Sequence, residues 1–403
     1  MCPARLSRYN SAALILALLL AACAPAAAPS LPPGEITAPP ESPPPPAATA
    51  TLPQLTPTAT KTPVRIPIAS ATPAVSDPDY PLSAQGPYFV GNRVINYVDE
   101  SRGGREVPVT VFYPAVKAPN APPRDADPDP SGAPYPLIVS STKMARQLAP
   151  FLVSHGFTWA GVDRIDTYMR MDKQMYEQPL DILFTLDQVA SNPPEGLEGM
   201  IDAEHAGAIG YSFDGYNTLA MSGARIDPAY YRSQCQTPDE AVAAIMQTGM
   251  TSFNCTPAED WEAFAARAGE GITASEDGLW QPLTDPRLKA IMPLAGEGWW
   301  LFGERGLAAA DRPSLMIVAT GDSLYPENAL IFEHLGTPDK ALISFLGRDH
   351  MMIYDPKMVE RMAHFAAAFF GYQLQGRPEL AEYFSEEFVS QKEGLYWGVY
   401  PGD

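Results

Sequence analysis

The sequence predicts an α/β fold with a mostly parallel central sheet, helices on both of its faces and one large insertion. Short apolar runs typical of buried strands recur along the chain and alternate with stretches of helical periodicity. This alternation indicates a parallel sheet, because parallel neighbours are usually connected by a helix. The apolar fraction of 46% and the charged fraction of 18% are those of a globular protein with a full core.

Eight segments have the composition of strands. The first two flank a turn at Arg102-Gly103-Gly104 and therefore predict a hairpin. The other six are apolar, and several of them are separated by helical stretches. The predicted strands are residues 89–98, 107–113, 135–140, 157–162, 206–210, 288–295, 314–319 and 341–346.

Helical periodicity is clearest in four stretches, residues 174–190, 216–224, 327–335 and 357–370. The alternation is interrupted by about sixty residues between the second of these helices and the next strand. We interpret residues 225–287 as a cap that lies over the carboxyl ends of the strands. In α/β proteins that edge of the sheet is where ligands bind.

The N-terminus resembles an export signal. Arg5 and Arg8 precede an apolar run that is too short to span a bilayer. The run ends in Leu20-Ala21-Ala22-Cys23, which is similar to a bacterial lipoprotein cleavage box. The similarity implies that residues 1–22 are removed and that Cys23 is acylated, so that the mature chain is lipid-anchored in the bacterial cell envelope. The alternative is an ordinary signal peptide with an unrelated cysteine.

Residues 23–80 are expected to form a disordered tether. Sixteen prolines lie between positions 24 and 80, mixed with Ala, Thr and Ser. This composition buries too little apolar surface to fold and favours extended polyproline II segments. Such a tether would hold a domain on the order of 100 Å or more from a membrane. The folded domain is then residues 81–403.

The cysteine and charge counts give two further expectations. Once Cys2 is removed and Cys23 is acylated, Cys235 and Cys255 remain, and an oxidising compartment favours a disulfide between them. The alternative is two free buried thiols. The net charge of −20 argues against a nucleic-acid partner, which requires a basic surface. The sequence also contains no cluster of Cys and His with metal-ligand spacing.

The motif Gly210-Tyr-Ser-Phe-Asp-Gly215 lies between a predicted strand and a predicted helix. A serine at a tight strand-to-helix turn is held on strained backbone with its hydroxyl exposed, which suits a nucleophile. The alternative for Ser212 is a purely structural turn. The start of the following helix also supplies N–H donors for a developing oxyanion.

A serine nucleophile requires a base and an acid that orients the base. His350 follows the predicted strand 341–346, whereas His155, His205, His334 and His364 have positions typical of structural residues. Asp322 ends the strand 314–319, and the order Ser212, Asp322, His350 is that of α/β-hydrolases. Asp349 is the alternative acid, but as a direct neighbour of His350 it points its side chain elsewhere.

Four segments resemble the dienelactone-hydrolase-like and platelet-activating-factor acetylhydrolase families of the α/β-hydrolase superfamily. These are residues 105–115, 136–140, 210–215 and 347–350. The resemblance extends from about Pro87 to Gly371. It implies the α/β-hydrolase fold and hydrolysis of small carboxylic esters by Ser212, Asp322 and His350, without a cofactor.

The chain departs from these families at two places. The loop after strand 135–140 is Ser141-Thr-Lys-Met-Ala145, where the families carry His-Gly or Pro-Gly. By position, the backbone N–H of Met144 joins that of Phe213 as oxyanion-hole donor. Asp214 replaces the usual second glycine of the serine motif. We expect its side chain to turn away from Ser212, to bond to the neighbouring loop or the helix start, and to affect catalysis little.

Trp299, Trp300 and Phe302 follow the strand 288–295 and are predicted to line a substrate pocket. The alternative is that they are core aromatics under the cap. The sequence as a whole thus predicts a membrane-anchored serine esterase. Two rival hypotheses are a non-catalytic binding lipoprotein with a hydrolase fold, and a peptidase or thioesterase that uses the same three residues.

Overall fold

The structure is a computed structural model that describes residues 78–117, 123–163 and 172–402. The predicted signal peptide, Cys23 and the tether up to residue 77 lie outside the described residues. Within the described part of the chain, no helix is long and apolar enough to cross a membrane.

The described strands form one mixed sheet with the order β1-β2-β4-β3-β5-β6-β7-β8-β9. Strands β3 to β8 run parallel, whereas β1, β2 and β9 pair antiparallel at the two ends. The strands are β1 Phe89–Asp99, β2 Arg105–Ala115, β3 Tyr135–Ser141, β4 Thr158–Val162, β5 Ile201–Tyr211, β6 Leu288–Leu294, β7 Ser314–Ala319, β8 Lys340–Phe345 and β9 Leu395–Trp397.

Helices lie between the parallel strands, and two more follow β8. They are α1 Thr142–Ser154, α2 Gln174–Ser191, α3 Phe213–Met221, α4 Pro228–Gln236, α5 Glu240–Gln247, α6 Thr256–Glu259, α7 Trp261–Ala268, α8 Glu270–Thr273, α9 Trp299–Leu307, α10 Tyr325–His334, α11 Pro356–Gln375 and α12 Glu386–Ser390. The predicted α/β class is therefore confirmed.

The helices cover both faces of the sheet. Along β7, the side chain of Ile317 joins the core that α1 and α11 form on one face. Its neighbours Met316 and Val318 join the core of α3, α9 and α10 on the other face. Successive strand residues point to opposite faces, so the apolar residues of β7 contribute alternately to the two cores. The doubly covered sheet explains why the parallel strands read as continuous apolar runs.

The carboxyl end of β3 differs from the loop that the family resemblance implies. Strand β3 ends at Ser141 and α1 begins at Thr142, so no glycine-rich loop separates them. No helix was predicted here from the sequence. Residues 141–145 were interpreted as a loop, because the families that the sequence resembles carry one there. The first turn of α1 is therefore placed directly at the carboxyl edge of the sheet.

The segment between α3 and β6 contains the five short helices α4 to α8. The predicted disulfide is confirmed, since Cys235 and Cys255 are bonded with their Cα atoms 5.5 Å apart. Phe253 packs against Trp300 of α9 with ring centroids 5.1 Å apart. The backbone N–H of Ser252 donates to Glu297, which follows β6. The insertion thus contacts the carboxyl edge of the sheet beside β6.

Candidate active site

Ser212 lies in a sharp turn between β5 and α3. Its backbone has φ 61° and ψ −121°, an unfavourable conformation for a residue with a side chain. The turn closes because Gly210 has no side chain: a Cβ there would lie 2.0 Å from the carbonyl oxygen of Asp214. The N–H of Ser212 donates to the carbonyl of Leu294 at 2.9 Å, which ties the turn to β6.

Ser212, His350 and Asp322 form one hydrogen-bonded chain. His350 Nε2 lies 3.0 Å from Ser212 Oγ, and His350 Nδ1 lies 2.7 Å from Asp322 Oδ2. The side chain of Asp322 is 1% exposed and that of His350 is 15% exposed. The acid is therefore shielded from water while the imidazole remains accessible. The structure brings together the three residues that the sequence predicts as nucleophile, acid and base.

Two neighbouring loops hold the acid and the base in position relative to each other. Gly321 donates its N–H to the carbonyl of Arg348 at 2.7 Å, and a Cβ at position 321 would approach that carbonyl to 2.8 Å. Asp322 Oδ1 accepts the N–H of Leu324 at 2.9 Å, which leaves Oδ2 for the imidazole. The hydroxyl of Tyr211 donates to the carbonyl of His350 at 2.6 Å.

Asp349, the alternative acid, has a different role in the structure. Its carboxylate caps a short 3-10 helix by accepting the N–H of Met351 at 2.9 Å. The other four histidines have partners outside the triad: His155 with Ala84, His205 with Asp202, His334 with Leu330 and His364 with Leu82. These bonds fit the structural positions predicted for them.

Two helices begin at the site. Phe213 is the first residue of α3 and Met144 is the third residue of α1. Strands β3 and β5 are parallel neighbours, so both helices start at the same edge of the sheet. The first N–H groups of a helix have no acceptor within the helix and carry the positive end of its dipole. The two predicted oxyanion donors thus belong to two adjacent helix starts.

Asp214 bonds to its neighbours as expected from the sequence. Its side chain is buried, and Oδ2 accepts the hydroxyl of Ser141 at the end of β3. Oδ1 is 3.4 Å from the amide nitrogen of Asn217, one turn further along α3. Burial raises the pKa of Asp214, whereas the bond from Ser141 and the charge of Lys143 act to lower it.

Lys143 and Glu297 are two charged residues that were not predicted as part of the site. Burial lowers the pKa of Lys143, and the negative charges of Asp214 and Glu297 oppose this effect. Glu297 is buried and accepts the N–H and the hydroxyl of Ser252, each at 2.7 Å. Burial raises the pKa of Glu297, while the bonds from Ser252 and the charge of His350 lower it. Polar contacts thus link the insertion to the surroundings of the triad.

Two residues of α10 form hydrogen bonds to the loop between β6 and α9. Glu327 Oε1 accepts the N–H groups of Gly298 and Trp299 at 2.7 and 3.0 Å. The amide of Asn328 donates to the carbonyl of Gly296 at 2.9 Å. Burial raises the pKa of Glu327, and the nearby carboxylates of Glu297 and Asp322 raise it further. Neither Glu327 nor Asn328 was predicted.

The three aromatic residues predicted for a substrate pocket lie in the hydrophobic core. Trp300 and Phe302 have no exposed surface, and Trp299 is 7% exposed. Phe302 stacks on Tyr216 of α3 with ring centroids 5.5 Å apart. The arrangement agrees with the alternative interpretation, that they are core aromatics beneath the insertion. They belong to α9 and pack this helix into the core.

A sequence signal for Glu297 exists. It lies between two glycines directly after an apolar strand, in Ala295-Gly-Glu-Gly298. A single charged residue at the carboxyl end of a buried strand is a site candidate on the same grounds as Asp322. Lys143 and Ser141 carry no such signal, since their importance depends on contact with Asp214.

No group of three or more His, Cys, Asp and Glu side chains within residues 78–117, 123–163 and 172–402 has an arrangement suited to a metal ion. Comparison of the chain with protein-family models and with curated proteins finds no match. The chemistry of the chain is therefore inferred from the geometry of its site.

Proposed function

We propose that the chain is a serine carboxylic ester hydrolase with the α/β-hydrolase fold, similar to dienelactone hydrolases and platelet-activating-factor acetylhydrolases. The observation that carries the proposal is the hydrogen-bonded chain from Ser212 Oγ through His350 to Asp322, with distances of 3.0 and 2.7 Å. A strained backbone at Ser212 and two helix starts beside it are the other supports. A protein that only binds a ligand requires none of these features together.

Ser212 would attack the ester carbonyl while His350 Nε2 takes its proton. The buried carboxylate of Asp322 orients the imidazole and stabilises its protonated form. The tetrahedral oxyanion would accept hydrogen bonds from the backbone N–H groups of Phe213 and Met144. His350 then gives the proton to the leaving alcohol, an acyl-enzyme forms at Ser212, and water activated by His350 releases the acid.

The substrate class that we propose is a small or short-chain ester. The same three residues would also serve a thioesterase or a peptidase. Those reactions differ from ester hydrolysis in the leaving group, a thiol or an amine in place of an alcohol. Rates on matched ester, thioester and amide substrates that share one short acyl group separate the three activities.

The test combines covalent labelling with turnover. A fluorophosphonate probe should label the wild-type chain and leave Ser212→Ala unlabelled, because the probe reacts with an activated serine. The wild-type chain should hydrolyse p-nitrophenyl acetate or butyrate, and Ser212→Ala should lose this activity. Absence of both labelling and turnover in the folded wild-type protein would favour the binding-lipoprotein hypothesis.

We also propose that the mature protein is held at the bacterial cell envelope by a lipid on Cys23, outside the cytoplasm. The cleavage box and the proline-rich stretch behind it support this proposal. A disulfide between Cys235 and Cys255 is compatible with an oxidising compartment.

A further inference from the structure

The two departures from the related families contact each other. Asp214 replaces the second glycine of the serine motif, and Ser141 begins the segment that replaces the usual glycine-containing loop. The hydroxyl of Ser141 donates to Asp214 Oδ2, and both residues are buried. They are 73 positions apart in sequence, yet they join the start of α1 to the start of α3.

Ser141 is used in an unusual way for its position. It is the N-cap residue of α1, where a serine hydroxyl normally accepts an N–H from the first turn. Here Ser141 makes no such capping bond, and its hydroxyl is directed to Asp214. The hydroxyl of Ser141 therefore occupies no N–H group of the first turn of α1.

Asp214 is placed to hold this junction rigidly. It lies two residues after Ser212 and within the first turn of α3. Its second oxygen is near the amide of Asn217, which also donates to Gln178 of α2 at 2.9 Å. A buried carboxyl group with directed partners has little freedom to move, because loss of a partner leaves a buried polar oxygen unsatisfied.

We propose that Asp214 is a positioning residue, which through Ser141 holds the first turn of α1 against Ser212 and so sets the place of the Met144 N–H in the oxyanion hole. The inference rests on the proposed function. In the related families a glycine-containing loop presents this donor. In this chain β3 runs directly into α1, and the Ser141–Asp214 bond does the positioning.

The charge of Asp214 does not contradict this role. A carboxylate near a forming oxyanion opposes catalysis unless it is directed elsewhere or neutralised. Asp214 accepts from Ser141 and lies within electrostatic range of Lys143, which follows in the same turn of α1. The charge of Lys143 thus acts against the effect of burial on the Asp214 carboxyl group.

This role differs from the expectation drawn from the sequence, which was that Asp214 affects catalysis little. If the side chain sets the oxyanion donor, its removal acts on the transition state and leaves ground-state binding largely unchanged. Loss of one oxyanion donor lowers kcat by on the order of 100- to 1000-fold. A misplaced donor retains part of its effect, so we expect a fall of roughly 10- to 100-fold in kcat and a KM within about threefold of wild type.

The experiment is a double-mutant cycle on the folded enzyme with a short-chain p-nitrophenyl ester. Asp214→Ala and Ser141→Ala each remove one end of the bond, and the double variant removes both. We expect both single variants to lower kcat, and the double variant to be no slower than the slower single variant, since all three lose the same interaction. Asp214→Asn keeps an acceptor for Ser141 and should recover most of the lost kcat.

Inhibition by a trifluoromethyl ketone distinguishes a positioning role from a merely structural one, which would leave the inhibition constant unchanged. The ketone's tetrahedral adduct with Ser212 places an oxyanion in the hole, so its inhibition constant should rise by the same factor as kcat falls. Thermal unfolding reports on folding, and Ser141→Ala, the smaller change, carries the test if Asp214→Ala does not fold.

The outcomes separate the two proposals. A wild-type chain that neither reacts with a fluorophosphonate nor hydrolyses the ester overturns the esterase and the positioning role together. The positioning role alone is overturned if the wild type is active and the variants Asp214→Ala and Ser141→Ala keep kcat within about threefold. It is also overturned if these variants change KM and leave kcat unchanged. Strictly multiplicative losses in the double variant do the same.

Discussion

Asp322 and Asp349 both lie in the loops around His350, but their carboxylates have different partners. Asp322 is buried and divides its two oxygens between the imidazole and the N–H of Leu324. Asp349 uses its carboxylate to cap the helical turn that begins at His350. Only Asp322 is placed to hold the imidazole in the tautomer that a general base requires.

We therefore expect Asp322→Asn to lower ester turnover strongly while the fold is retained. An asparagine at this position favours the wrong imidazole tautomer, and the precedent in a serine protease is a loss of about 10,000-fold in kcat. The measurement is kcat on a short-chain ester, together with thermal unfolding to show that the variant is folded.

Asp349→Asn is the matched control, since it makes the same chemical change one residue from His350. Asparagine caps a helix start about as well as aspartate, so we expect little loss of stability, and the imidazole bond to Asp322 stays in place. Its turnover should stay within about tenfold of wild type. If Asp349→Asn is instead the slower variant, the acid is Asp349.

The triad could be predicted at this scale because each member follows a recognisable apolar strand. Ser212, Asp322 and His350 come after β5, β7 and β8, which all have a clear sequence signal. The bond between Ser141 and Asp214 could not be predicted, because nothing near either residue indicates that they meet. It depends on β3 and β5 being neighbours in the sheet, which only the folded chain establishes.

At the scale of elements, α10 supports the loop that connects β6 to α9. Glu327 accepts two N–H groups at the start of α9, and Asn328 donates to the loop before it. Acidic side chains near helix starts are favourable, but Glu327 is completely buried beside two other carboxylates. The pKa of Glu327 is therefore raised, mainly by burial.

The raised pKa predicts how stability depends on pH. A glutamate in the unfolded chain loses its proton at about pH 4.3. Between that pH and the raised pKa of Glu327, the folded chain keeps a proton that the unfolded chain has released, so this residue makes stability fall as the pH rises. Glu327→Gln resembles the protonated carboxyl and removes this dependence. We expect the Tm difference between variant and wild type to grow in favour of the variant from about pH 5 to about pH 8.

Glu333→Gln is the control for Glu327→Gln, because Glu333 is exposed on the same helix. Its Tm difference from wild type should not change over this range, since the side chain is exposed to solvent in the folded chain as it is in the unfolded one. A Tm difference for Glu327→Gln that is constant with pH would mean that Glu327 is ionised in the folded protein throughout.

Secondary-structure elements were predictable to different degrees. The apolar strands of the parallel sheet and the helices α2 and α11 stand out by composition and periodicity. Helix α1 was missed because its first residues were interpreted as a loop, and β9 because three residues carry too little pattern. The helices α4 to α8 have only four to nine residues each, and their segment packs on Trp300 of α9 through Phe253 and contains the disulfide.

At the scale of the whole molecule, the α/β class depends on a pattern of apolar residues that recurs along the entire chain. A sheet covered on both faces requires apolar residues throughout its central strands, and that requirement is visible in the sequence. The position of the insertion relative to the site is a different kind of property. It depends on single contacts such as that of Ser252 with Glu297, which composition does not reveal. The same is true of Trp299, Trp300 and Phe302, which the structure places in the core.

The membrane attachment that we propose also concerns the whole protein, and it is predicted to depend on one residue. Cys23 follows Leu20-Ala21-Ala22, and the chain behind it is proline-rich up to the folded domain. One acyl chain gives only marginal membrane binding, whereas several chains on one cysteine anchor firmly, because each buried methylene adds roughly 0.8 kcal/mol. Cys23→Ser removes the acylation site, so we expect the protein to move from the membrane pellet to the soluble fraction while its ester turnover stays unchanged. Cys2→Ser is the matched control, since Cys2 lies in the segment that is predicted to be removed, and its fractionation should equal that of wild type. Pelleting of Cys23→Ser to the same extent as wild type would show that something other than this lipid holds the protein at the membrane.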